Sequence, residues 1–105
     1  YEEAIALFNN LLKHYPDGQY AANANYWIGE CYYAINDFAS AINAFKKVLT
    51  FKHNQKGDDA QNKIALCLLK MGRSLEAKAE FKKLVERYPA SEFVPRAKQY
   101  LKEIM

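Results

Sequence analysis

The residues able to carry chemistry are few in this chain of 105, and their spacing limits what they can do. Catalysis needs a nucleophile, an acid–base pair or a metal held in converging geometry. Two histidines are present, His14 and His53. Both fall at the ends of helix-patterned segments about one repeat apart. Stacked helices would keep them roughly 10 Å from each other. An imidazole at a helix C-terminus is favoured by the negative end of the dipole, which makes solvent-facing helix-end residues the expected role. The chain holds no Gly-rich phosphate loop, no His-Glu-x-x-His pair and no supported pair of carboxylates. No catalytic residue, no cofactor and no metal is expected.

The two cysteines, Cys31 and Cys67, stand 36 residues apart and belong to no Cys-x-x-Cys motif. A disulfide needs Cα atoms within about 7 Å, whereas packed helices lie about 8–10 Å apart at their axes. Free, buried thiols that pack as small hydrophobes are expected. Lys46, Lys47, Lys78, Lys82, Lys83, Arg87, Lys98 and Lys102 form basic runs, with Glu76, Glu80, Glu86 and Glu103 interleaved among some of them. That mixture describes a solvated outer face rather than a nucleic-acid site, and the net charge of +3 is modest.

The elements that must position these residues follow from composition and period. Half of the chain is apolar and 14% is aromatic, so one packed domain is expected. The longest apolar run, Ile64 to Leu69, is far too short to cross a bilayer. Phe8, Phe45 and Phe81 are separated by 37 and 36 residues, and each has an Ala four residues earlier: Ala4, Ala41 and Ala77. At an offset of 73, Tyr15-Pro16-Asp17-Gly18-Gln19-Tyr20 aligns on Tyr88-Pro89-Ala90-Ser91-Glu92-Phe93, with Ala24 on Ala97 and Ile28 on Leu101. Self-similarity with a period in this range marks a repeat architecture.

Within each period the apolar spacing is helical. Ala4, Ile5, Phe8, Leu11, Leu12 and Tyr15 follow the i, i+3, i+4, i+7 pattern. Ala41 to Leu49 and Ala77 to Tyr88 repeat it. Partner helices fall near 20–35, 58–71 and 92–104, with breaks at Asn36-Asp37, Lys56-Gly57-Asp58, Gly72-Arg73-Ser74 and the two Tyr-Pro segments. Asp37 and Ser74 are expected N-caps, as is Ser91 ahead of Pro95. Six helices in antiparallel hairpins result, with Gly29 and Ala41 allowing close approach beside Phe45 and Tyr32. The expected fold is all-α, a right-handed superhelical stack of helix–turn–helix repeats. Residues 1–16 form the second helix of a truncated unit, 20–53 and 57–89 form two repeats, and 92–105 form a C-terminal helix. The first helix of the opening unit is missing, so the chain is expected to be a fragment of a longer protein. The face carrying Ile5, Phe8 and Leu12 is then expected to be bare until another chain or tag residues cover it. Self-association through that helix is one such route.

Ile28-Gly29, Tyr32, Ala41 and Phe45, then Ile64-Ala65, Leu68, Ala77, Phe81 and Pro89, resemble the tetratricopeptide pattern of Leu-Gly-x2-Tyr, Ala-x3-Phe and Pro. The family's opening aromatic falls on Asn25 and Gln61, its Pro falls on His53 in the middle unit, and the repeat is longer than 34. The longer units, the Tyr-Pro turns and Tyr26-Trp27-Ile28-Gly29-Glu30 with Tyr32-Tyr33 are similar to the C-terminal domain of the Tol–Pal system tetratricopeptide family. They are also similar to outer-membrane β-barrel assembly lipoproteins of the same repeat type.

That resemblance implies a non-catalytic scaffold, periplasmic and engaged in cell-envelope constriction, that binds a partner peptide or helix on a concave face of first helices. Carried over position by position, the binding residues are Asn23, Tyr26, Glu30 and Tyr33, then Asp59, Asn62, Leu66 and Lys70, then Arg96 and Gln99. Asparagine offers a donor and an acceptor to a peptide backbone, and tyrosine offers rigid contact area. Trp27, large and apolar, is expected in the core against the preceding helix. The expected partner is a protein segment, with neither nucleic acid nor membrane insertion. A cytoplasmic adaptor of the same repeat, or a spacer whose groove binds nothing, are the alternatives.

Overall fold

Two short turns set the hairpins, and both are built the same way. In the computed structural model, which describes residues 1–51 and 54–104, Asn36 and Gly72 take left-handed backbone conformations with φ of 65° and 74°. The Asn36 amide donates to the Tyr33 carbonyl at 3.1 Å, and the Asp37 amide donates to the Tyr32 carbonyl at 2.9 Å. The same pair recurs from Gly72 to Leu69 at 3.0 Å and from Arg73 to Leu68 at 2.9 Å. This is a Schellman ending, which uses a left-handed residue to satisfy the last carbonyls of one helix and reverse the chain.

Six helices follow among the described residues: α1 (Glu2–His14), α2 (Gly18–Ala34), α3 (Phe38–Leu49), α4 (Gly57–Lys70), α5 (Ser74–Arg87) and α6 (Val94–Glu103). Each packs against its neighbours in chain order, giving a stack 43 × 27 × 17 Å. No strand occurs among the described residues. The fold is all-α and tetratricopeptide-like, as the period predicted. No helix among the described residues is long and apolar enough to cross a membrane.

Asp37 caps α3, its carboxylate accepting from the Ser40 amide at 3.2 Å and from the Ser40 hydroxyl at 2.9 Å. Ser74 does not cap α5. The equivalent register is Arg73, whose guanidinium reaches forward to Glu76 at 2.8 Å, so Ser74 is the first residue inside the helix. Ser91 also stands outside its helix, two residues before the N-cap position Phe93. Its hydroxyl oxygen accepts from the Phe93 amide at 3.2 Å while its own proton goes to Asp58 at 2.6 Å. That tether keeps residues 91–93 in a turn, so α6 starts three residues later than the offset of 73 from α2 implies.

The main core joins α2 to α6 through Phe45, Val48, Ala60, Ile64, Phe81 and Leu84, all at most 1% exposed. Gly29 lies against the Phe45 ring, where a side chain would have no room. A smaller cluster at the N-terminal end unites Ile5, Ile28, Cys31 and Ala44, with Phe8 and Leu12 packed on it. This corrects the expectation of a bare Ile5–Phe8–Leu12 face. That stripe turns inward onto α2 and α3, and the large apolar residue that α1 leaves exposed is Leu7, 62% open. Both cysteines are free and buried. Burial in apolar surroundings pushes the Cys67 thiol up to about 11.

Candidate functional site

The residues expected to line the binding face sit on α2, α4 and α6, and spacing along each helix puts them on common stripes. On α4, Asp59, Asn62, Leu66 and Lys70 are three or four apart. The structure adds cross-helix pairs, twice joining residues 33 apart. The Tyr26 hydroxyl donates to Asp59 Oδ2 at 2.8 Å. Four residues further along both helices, Lys63 Nζ meets Glu30 Oε1 at 3.1 Å. Glu30 Oε1 has no hydrogen bond besides this ionic contact. The same ammonium lies 4.9 Å from the centre of the Tyr33 ring. Lys56 covers the rings of Tyr26 at 4.9 Å and Trp27 at 5.6 Å. Such contacts between a cation and a ring face add roughly 0.5–2 kcal/mol each, depending on desolvation.

Charge placement explains why the seam is stable. Asp58 and Asp59 occupy the first turn of α4, where the helix dipole favours a negative group. Asp59 reaches back to α2, and Asp58 reaches forward to Ser91 in the turn before α6. Two adjacent carboxylates thereby tie three successive units. Burial, then the hydrogen bond to Asp59, drives the Tyr26 phenol far above its ordinary value, so it stays a donor at every physiological pH. Burial raises the Tyr33 phenol too, against the opposing pull of Lys63. The other carboxylate oxygen of Asp59 is buried and has no hydrogen-bond partner.

The ten expected residues separate into three kinds. Tyr26 and Asn62 are 4% and 8% exposed, so they form the floor and offer little to a partner. Glu30, Tyr33, Asp59 and Leu66 are half-buried, with Asn23, whose amide oxygen accepts from Gln19 at 3.1 Å. Lys70, Arg96 and Gln99 are exposed, with Arg96 donating to Gln99 at 3.3 Å and lying 5.1 Å from the Tyr100 ring centre. Tyr100 is stacked on Phe81 with centroids 4.9 Å apart.

Sequence reasoning missed Lys56, Lys63 and Tyr100. A signal was there: Lys56, Lys63 and Lys70 are seven apart and fall on one side of α4. Trp27 is 46% exposed, in contrast to the expected core position, because no helix among the described residues packs over that side of α2. Gln61, buried, donates to the Glu80 carbonyl at 2.9 Å and locks α4 to α5. His14 accompanies the Asn10 carbonyl at 3.0 Å at the exposed end of α1, and His53 lies outside the described residues. No group of three or more His, Cys, Asp or Glu able to hold a metal occurs among the described residues.

The family described as outer membrane lipoprotein, YfiO, matches the chain over residues 1–105. Among curated proteins, the cell division coordinator CpoB of Escherichia coli strain K12 is 47% identical over 32 residues, covering 30% of this chain and 12% of that protein. The cell division coordinator CpoB of Pseudomonas putida KT2440 is 46% identical over 37 residues, 35% of this chain and 14% of its own length. The matched segments therefore span about an eighth of these relatives.

Proposed function

The chain belongs to the YfiO family of outer membrane lipoproteins, and on that premise we propose that it docks a segment of an envelope protein on the face formed by α2, α4 and α6. It is a non-catalytic protein-interaction module of a kind found in the cell envelope. The periplasm is the compartment this reading favours, and the kinship with cell division coordinators favours a partner engaged in envelope constriction.

One observation carries the choice of face. The seam between α2 and α4 is tied by Tyr26–Asp59 and Glu30–Lys63, so the half-exposed and exposed groups above it need no reorganisation before a partner arrives. Fixed aromatic and charged groups of this kind lower the entropic cost of association. Mixed signs along the face, with Lys63 paired to Glu30, Asp59 at the start of α4 and the exposed Lys70 and Arg96 at other points of it, suit a peptide or helix carrying both charges. The low net charge gives no general attraction to polyanions.

Site-specific photo-crosslinking in cells tests the assignment. A crosslinker at Leu66 or Gln99 should capture a defined envelope protein, and one at Lys46 or Leu75 should not. The double change Lys70→Glu with Arg96→Glu, both exposed in the structure, should weaken that capture with the helical content unchanged. Crosslinks arising only from Lys46 or Leu75 would reject this face.

A further inference from the structure

The same cleft occurs twice along the stack, and only one of the two is furnished with an acid. The first, about 200 Å³, is bounded by α1, α2 and α3, with Asn9, Asn25, Tyr32, Asn43, Ala44 and Lys47 on its walls. Adding 37 to the α1 position and 36 to the others gives Lys46, Gln61, Leu68, Ala79, Glu80 and Lys83. Of these, Lys46, Leu68, Ala79 and Glu80 line a second cleft of about 170 Å³, bounded by α3, α4 and α5.

In the second cleft a carboxylate is built in. Glu80 Oε1 accepts from Gln61 Nε2 at 3.2 Å, and Glu80 Oε2 meets Lys83 Nζ at 3.0 Å. The first cleft keeps both partners in kind and lacks the carboxylate: Asn25 stands for Gln61, Lys47 for Lys83, and Ala44 for Glu80. No Asp or Glu lines it, and Lys47, exposed, has no ion-pair partner among the described residues. Ser40, at the edge, donates its proton to Asp37 and so is not a free donor. Asn25, 6% exposed, donates to the Ala21 carbonyl at 3.0 Å, while its Oδ1 has no hydrogen-bond partner among the described residues. Asn9 and Asn43 are exposed on facing helices.

We propose that the first cleft binds a peptide segment of a partner protein through a Glu or Asp side chain, whose carboxylate sits where Glu80 sits one unit later. Two features choose a peptide over a dissolved carboxylate ion. One exposed ion pair to Lys47 strengthens binding by about fivefold at most, too little to hold a free anion. The asparagines also offer carbonyl acceptors as well as N–H donors, which backbone amides can use and a carboxylate, an acceptor only, cannot. This site shares no residue with the α2–α4–α6 face and stands or falls separately from it.

Chemical-shift titration of the chain with blocked pentapeptides, acetyl-Ala-Ala-Glu-Ala-Ala-amide and its Gln counterpart, tests the assignment. The expected result is saturable movement of the Asn9 and Asn43 side-chain amide signals, with the Glu peptide bound about fivefold more tightly than the Gln peptide. That preference should disappear with Lys47→Met, an exposed change that spares the core. It should disappear too with Ala44→Glu, which supplies the carboxylate from within. Still signals at these asparagines, equal binding of the two peptides, or a preference that survives Lys47→Met would each overturn the proposal. Sodium acetate binding as tightly as the Glu peptide would assign the cleft to free carboxylate ions and overturn the peptide assignment.

Discussion

Replacing Gly29 with alanine is the sharpest probe of how closely α2 and α3 approach. A Cβ at that position would lie 2.6 Å from Phe45 Cε1, and 2.8 Å from Cδ1 and Cζ. Ordinary carbon contacts begin near 3.5 Å, so the ring must retreat by roughly 1 Å. It has nowhere easy to go, being 0% exposed and set edge-on to Tyr26 at 5.9 Å between centroids. Overpacking of this kind costs about 1–3 kcal/mol. Alanine in a helix interior is favoured over glycine by about 1 kcal/mol, which offsets part of it. The expected net loss is about 1 kcal/mol, a fall in Tm of about 4–8 °C for a domain near this size. Urea unfolding followed by circular dichroism measures it. The decisive comparison is Phe45→Leu, which removes the offending ring atoms. In that background Gly29→Ala should be neutral or stabilising, giving a coupling of about 1–2 kcal/mol in the double-mutant cycle. Equal effects in the two backgrounds would refute the close-approach argument. Ala65 at the equivalent register of α4 is 0% exposed, so a methyl is accommodated there where the facing side chains are placed for it.

Phe81→Ala should cost about 3–5 kcal/mol, since the ring is 0% exposed and stacked on Tyr100, whereas Leu75→Ala, 76% exposed, should change stability by less than about 0.5 kcal/mol in the same titration. Tyr26→Phe leaves Asp59 with both carboxylate oxygens lacking the phenol proton, and a loss of about 1–3 kcal/mol is expected from thermal unfolding. Recovery on adding Asp59→Leu, a shape-matched apolar partner, would identify the desolvated carboxylate as the cause. The Cys67 thiol ionises near 9.0 when unfolded and about 11 when folded, so the folded chain holds the proton more tightly and this contribution is complete below pH 9. It is lost as pH rises from 9 through 11, and Cys67→Ala should flatten the fall of stability with pH across that window.

The turns and helices were legible because the forces that make them are local. A 3.6-residue period in Ala4 to Tyr15, Ala41 to Leu49 and Ala77 to Tyr88 requires one buried side per helix. Asn36 and Gly72, residues tolerant of positive φ, mark the hairpin turns before any contact is known. Two cap residues were misplaced by one or two positions because Arg73 and Ser91 found side-chain partners, Glu76 and Asp58, that turn chemistry alone does not specify.

By itself, the order of residues determined the all-α class, the six helices, their pairing and the two free thiols, since each depends on periodicity or on spacing along one chain segment. Tertiary packing decided which positions on a shared stripe remain open. Tyr26 and Asn62 lie on the same stripes as Tyr33 and Lys70, yet they are buried; for Tyr26 the cause is the neighbouring α4, whose Asp59 takes the phenol proton while Lys56 covers the ring. Trp27 shows the converse. Its side of α2 is apolar by type, but burial needs a helix on top, as the α4 position at that register has, where Lys63 meets Glu30 of α2.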